Sequence, residues 1–181
     1  MEDRTFESKE YKIFELFQKD WAIITAGTMD NFNGCTVSWG TMGTLWTRPG
    51  KSGSIITVYL YPTRYTQQFF KDHDTFTVSF FPTTEKRAMA YMGSHSGRDE
   101  DKVATAGLTP VPFGDSVTYE EAKTTFLCRK IYQHQLTKED LAEDIQAYYA
   151  ADPKAYPVDE KGDWHPHWLF IGEIMDVKGS L

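Results

Sequence analysis

The sequence predicts a mainly β chain of the α+β class, folded as an antiparallel barrel with helical insertions. Three observations carry this: about six runs rich in β-branched and aromatic residues, Gly/Pro/Asn turn signals between them, and helical spacing in some of the intervening segments. Strand and helix do not alternate regularly, which argues against a doubly wound parallel sheet. The 181 residues fit one domain, residues 1–181, with no repeat or low-complexity tract.

An N-terminal helix is predicted within residues 1–20, because Tyr11, Phe14, Leu16 and Phe17 recur at helical spacing between Glu7 and Lys19. Trp21 to Gly27 follows as a strand. Asp30 to Gly34 is a turn cluster in which Asn33-Gly34 is a strong hairpin signal, and Cys35 to Gly40 alternates as the returning strand. After the Gly/Pro/Ser break from Arg48 to Gly53, Ser54 to Tyr61 is β-branched enough for a buried strand that Pro62 ends. Thr63 to His73 reads as a helix, Thr75 to Phe81 as a strand, and Glu85 to Met92 as a second helix. Asp99 is placed to cap a short helix ending near Ala106. Thr124 to Gln135 is a long strand. Residues 137–167 form a helical and loop insertion, with Thr137 and Asp140 resembling a capping box, before a final strand from Trp168 to Val177.

Nineteen Lys and Arg against 26 Asp and Glu give a formal charge of −7, which argues against nucleic acid as the main partner. Small anions stay open. Aromatic residues are 15% of the chain, a load that favours strands, stacking surfaces or a flat ligand. No charged start leads into an apolar leader, and no apolar run approaches the ~18 residues of a membrane span. Two cysteines without a Cys-x-x-Cys pair suggest a reducing, cytoplasmic address. The glycine patterns that cradle dinucleotides and triphosphates are absent.

Three segments carry chemistry. Asn33-Gly34-Cys35-Thr36-Val37-Ser38-Trp39 packs an amide, a thiol, two hydroxyls and an indole onto one strand, with Thr36 and Ser38 on one face and Cys35, Val37 and Trp39 on the other. It suits a polar ring edge, and equally a plain hairpin with a core Trp. Tyr61-Pro62-Thr63-Arg64-Tyr65-Thr66 opens a helix, where free N–H groups and the Arg64 fork suit an anion; an ordinary capped helix would look the same. Ser94 to Lys102, with Ser96, Gly97 and Arg98, lets backbone approach a ligand, or is a solvated loop in which Arg98 pairs with Asp99 or Asp101. His165 and His167 offer two imidazoles, too few for a metal site on their own, and no metal is expected. Cys35 reads as a small buried side chain, and the absence of a Gly-x-Ser-x-Gly elbow argues against a hydrolase.

Taken in order, Asn33 to Gly40, Tyr61 to Thr66, Ser96 to Lys102 with Gly107-Leu-Thr-Pro110, and Phe170-Ile-Gly-Glu-Ile174 resemble the flavin reductase-like FMN-binding split barrels, and within them the flavoredoxin-like branch. The likeness runs from about Trp21 to the C-terminus. It implies a six-stranded antiparallel split barrel, a homodimer, and FMN in a groove near the subunit interface. On that likeness Asn33, Thr36, Val37, Ser38 and Trp39 would flank the flavin ring. Tyr61, Thr63, Arg64, Tyr65 and Thr66 would meet the ribityl phosphate, and Ser94, Ser96, Gly97 and Lys102 would close over it. Trp168 would also face the flavin. Cys35 stands where relatives often have methionine.

The implied activity is NAD(P)H-dependent flavin reduction, with NADH or NADPH as donor stacked on the exposed flavin face and no catalytic side chain required, since hydride acceptance is the cofactor's chemistry. The alternative is a flavoredoxin-like electron carrier reduced by a partner protein. A haem-binding relative would need an axial ligand, with His95 and His167 as candidates. The implied partners are flavin and nicotinamide, with no nucleic acid and no membrane.

Overall fold

β-Branched and aromatic runs do become strands, and every neighbouring pair is antiparallel, although only Ala22–Thr28 with Asn31–Val37, Gly40–Thr44 with Ser54–Leu60, and Pro110–Phe113 with Ser116–Tyr119 are sequential hairpins. The computed structural model describes residues 4–152, 156 and 158–180. A 3-10 turn at Thr5–Ser8 precedes α1 (Ile13–Glu15), which widens into a looser turn over Leu16–Asp20. The single helix expected here does not form: Leu16 and Phe17 are buried but Phe14 is 88% exposed, so no continuous apolar stripe faces the core. Trp21 takes a φ of 63° and ends the segment.

The chain then runs through β1 (Ala22–Thr28), β2 (Asn31–Val37), β3 (Gly40–Thr44), β4 (Ser54–Leu60), α2 (Thr66–Asp72), β5 (Thr75–Phe80), α3 (Lys86–Ser94) and α4 (Lys102–Ala106). It continues through β6 (Pro110–Phe113), β7 (Ser116–Tyr119), β8 (Thr124–Gln135), α5 (Glu143–Ala150) and β9 (Trp168–Gly179). The main sheet has seven strands in the order β2-β1-β5-β8-β9-β4-β3, and β6-β7 form a separate ribbon. The chain is thus mainly β with helices, but the six-stranded barrel is not what the hydrogen bonding draws. β3 is the added strand, and the sheet order leaves β2 and β3 as its two ends rather than as paired neighbours.

The first hairpin also differs from expectation. Its turn lies at Met29-Asp30, and Asn33 and Gly34 sit inside β2 opposite Ala26 and Thr25. Gly34 serves close approach instead: a Cβ there would stand 2.6 Å from Thr25 Oγ1 and 2.7 Å from Tyr119 Oη. Those two hydroxyls are themselves bonded at 3.1 Å and tie the ribbon to the sheet. The cap of α4 is Asp101, not Asp99, with Oδ1 accepting from the Ala104 N–H at 3.1 Å. The Thr137 capping box does not form; Lys138–Asp140 is a 3-10 turn, and α5 begins after Ala142 with no buried residue.

The larger core lies on one face of the sheet, where Phe70 meets Phe170 at 5.0 Å and Phe17 meets Phe80 at 5.4 Å between centroids. A second cluster on Ile23, Met89, Met92 and Tyr119 holds α3 and α4 against the sheet. Trp168 packs on Phe170 under the Lys71 ammonium. Among the described residues, no helix is long and apolar enough to cross a membrane.

Candidate functional site

Three chain segments converge beside the end of β4. Leu60 pairs with Trp168, so the turn after β4 and the residues before β9 emerge together. The β4 turn folds tightly, the Arg64 N–H donating to the Tyr61 carbonyl at 3.1 Å and the Gln67 N–H to the Arg64 carbonyl at 3.0 Å. The third segment is the α3–α4 loop. His95 stacks on Tyr91 at 3.7 Å, and the Tyr91 hydroxyl donates to Glu100 Oε2 at 2.7 Å, which fixes both ends of that loop and raises the phenol's pKa.

These segments enclose a cavity of about 410 Å³ lined by Tyr61, Thr63, Arg64, Tyr65, Thr66 and Ser96, with His95, Arg98 and Lys102 completing the wall. Lys102 is 4% exposed and donates to the Met92 carbonyl at 3.0 Å and the His95 carbonyl at 3.1 Å. Its ammonium thus satisfies the C-terminal end of α3, where a cation is favoured. Burial pushes its pKa down, and the Arg64 charge pushes the same way. Arg98 donates from Nη1 to the Thr63 carbonyl at 3.4 Å and lies 4.6 Å over the Tyr65 ring, instead of pairing with Asp99 or Asp101. The half-buried Arg64 guanidinium, by contrast, has no hydrogen-bond or ion-pair partner among the described residues.

A second cavity of about 220 Å³ shares Tyr61 and Arg64 and is otherwise lined by Thr36, Val37, Ser38, Trp39, Tyr149 and His167, with Cys35, Tyr59 and Leu60 behind them. Trp39 stacks on His167 at 4.5 Å and 28°, and Tyr61 meets the same imidazole edge-on at 4.3 Å. The Tyr156 hydroxyl bonds His167 Nδ1. Burial, with Arg64 nearby, lowers the His167 pKa to about 4, so this imidazole is neutral at physiological pH. Thr36 Oγ1 donates to the Met89 carbonyl, which leaves its hydroxyl only as an acceptor toward the cavity.

The expected site residues therefore divide. Tyr61, Thr63, Arg64, Tyr65, Thr66, Ser96 and Lys102 share the first cavity; Thr36, Val37, Ser38 and Trp39 line the second. Asn33 and Gly97 lie in a third cavity of about 460 Å³, across the Tyr65 and Lys102 wall from the first. Ser94 lines none of the three, its Oγ donating to the Ala90 carbonyl at 2.9 Å. Trp168 also lies away from them. Of the other lining residues, Tyr149 is not singled out by the sequence, Arg98 is read there within the ligand-approach loop, and His95 and His167 are candidates only as ligands of a haem or a metal. His165 Nε2 bonds Asp159 Oδ2 at 2.9 Å, so the two histidines of this loop turn to different partners. Among the described residues no group of three or more His, Cys, Asp or Glu is placed to hold a metal.

A cationic, hydroxyl-rich cavity joined through Arg64 to an aromatic one can take a molecule with an anionic end and a flat end. Residues 14–180 match the model of the flavin reductase like domain, and the chain belongs to that family. Among solved structures, it resembles the flavoredoxin of Desulfovibrio vulgaris (Miyazaki F) with 24% identity, 94% of this chain and 74% of that one covered, and a TM-score of 0.61. An FMN-binding protein from Thermus thermophilus with bound p-hydroxybenzaldehyde gives 19%, 88%, 71% and 0.61 in the same order. An NADH:FAD oxidoreductase from Streptomyces globisporus C-1027 gives 15%, 89%, 75% and 0.62. A search of curated proteins finds no match.

Proposed function

We propose that the chain binds FMN and works as an NAD(P)H-dependent flavin reductase. The observation that carries this is Arg64: a half-buried guanidinium without a partner among the described residues, at the junction of a hydroxyl-lined cavity and an aromatic one. A phosphate would satisfy it with charge-assisted hydrogen bonds. Thr63, Thr66 and Ser96 would add hydroxyl donors, and Lys102, already donating twice, has one N–H left. Thr36, Val37, Ser38, Trp39 and Tyr61 would lie along the ring, with neutral His167 behind Trp39. The donor set fits the group. Bound FMN supplies the hydride-accepting ring, while these residues hold it and keep water from one side.

Purified protein saturated with FMN should be yellow and lose its flavin absorbance on anaerobic addition of NADH or NADPH. A preparation that takes up no FMN in titration overturns the reading. The likeness to a flavoredoxin supports a second one, an FMN electron carrier served by a partner protein. That version binds FMN with no direct bleaching by either nicotinamide. The proposal treats the chain as one such domain, and a homodimer belongs to it: exposed Trp46, Tyr132 and Met175 offer apolar surface to a second copy. Cys35 and Cys128, free and buried, support a cytoplasmic address.

A further inference from the structure

The imidazole of His167 is held at one nitrogen only. Buried Tyr156 bonds Nδ1 through its hydroxyl, and no described residue bonds Nε2. Nε2 is partnerless without being sealed, so it meets open space, and the space that His167 lines is the aromatic cavity of about 220 Å³. Trp39, stacked at 28°, covers a face of the ring and leaves its edge uncovered. The Tyr156 ring is itself clamped, stacked on Trp164 at 5.2 Å and 19° and tilted against Tyr149 at 4.8 Å.

The direction of the Tyr156 bond follows from burial. Burial pushes the phenol's pKa up, so the hydroxyl keeps its proton, and the described residues offer that proton no acceptor but Nδ1. Were Nδ1 to carry a proton instead, the hydroxyl would be a buried donor with nothing to receive it, which is the costly arrangement. A neutral imidazole has one proton, and the nitrogen that holds it is set by the bond the other makes. Nδ1 accepts, so Nε2 carries the hydrogen and donates. Thr36, whose hydroxyl already donates to the Met89 carbonyl, gives the same cavity only an acceptor. We propose that Tyr156 is a positioning residue: it fixes His167 as the Nε2–H tautomer, and thereby as a hydrogen-bond donor to a carbonyl oxygen or imine nitrogen on the ring held in this cavity. The identity of that ring rests on the flavin reading; the tautomer does not.

The test is the tautomer of His167 in the flavin-free full chain, read from its imidazole nitrogen signals after ¹⁵N-histidine labelling and assigned by their loss in His167→Gln. Nδ1 should show as a bare, accepting nitrogen and Nε2 as an N–H. Tyr156→Phe, which keeps the ring and removes the hydroxyl, should turn this into a mixture of the two tautomers. FMN should shift Nε2 in the wild type, and should bind folded Tyr156→Phe about three- to tenfold more weakly, as one hydrogen bond is no longer prepared for it. In a His167→Gln background Tyr156→Phe should cost nothing further, because the residue it acts through is gone. The proposal is overturned by an Nδ1–H imidazole in the wild type, by an unchanged tautomer in Tyr156→Phe, by wild-type FMN affinity in that variant, or by an equal loss in the His167→Gln background. Failure of the wild type to take up FMN overturns the flavin reading instead, and the tautomer, read without flavin, tells the two apart.

Discussion

Lys102 and Arg64 face the same cavity and are treated in opposite ways by the fold. Lys102 is fastened by two carbonyls at the end of α3, whereas Arg64 has no hydrogen-bond or ion-pair partner among the described residues. The aromatic cavity next door resembles the lysine side of this contrast, since His167 is stacked, bonded and neutral. A satisfied charge serves the fold, and an unsatisfied one waits for a ligand.

The contrast breaks first at Lys102. Lys102→Ala should lower FMN affinity and also global stability, by about 1–3 kcal/mol for each carbonyl left without its donor, read by urea unfolding. Stability unchanged within error would mean the lysine is not part of the fold.

His167 gives the next effect. Its folded pKa, about 4, lies below the ordinary 6.5, so between those values the unfolded chain takes up a proton that the folded chain refuses. That contribution to stability, about 3 kcal/mol in full, is present above pH 6.5 and is lost as the pH falls toward 4. Unfolding curves at several pH values should show the slope, and His167→Gln should flatten it.

Arg64→Ala should weaken FMN by about 1.5–3 kcal/mol, the value of hydrogen bonds to charged groups, while riboflavin, which lacks the phosphate, binds as before. The melting temperature of the ligand-free variant should not fall. A matching loss for riboflavin would separate Arg64 from the phosphate. The smallest effect is expected at the surface: Tyr148 on α5 is 67% exposed and meets only its neighbour Tyr149 edge-on among the described rings, and Tyr148→Ser should change stability by no more than about 0.5 kcal/mol.

The long strands were legible because their chemistry is local. Thr124–Gln135 is a β-branched and aromatic run and forms β8 over the same residues. β3 was missed because Gly-Thr-Met-Gly-Thr lacks that density, and β6 because Pro110 and Pro112 argue against a strand except at an edge, which is what the ribbon is. Asn33-Gly34 misled for a related reason: glycine was needed for the space beside Tyr119, not for a turn. In the site, the hydroxyl and cationic groups of Tyr61 to Thr66 were legible as a helix opening. His167 was not, because its meaning comes from Trp39, Tyr61 and Tyr156, which only the fold brings to it.

The solitary guanidinium has a practical side at the bench. With no ion-pair partner for Arg64 among the described residues, any small dianion that enters its cavity should steady the chain against heat, in proportion to RT ln(1 + [L]/Kd). Flavin-free protein should therefore keep better in phosphate than in an amine buffer of the same pH and ionic strength, and the choice of storage salt becomes a first assay for the cavity, made before any flavin is added.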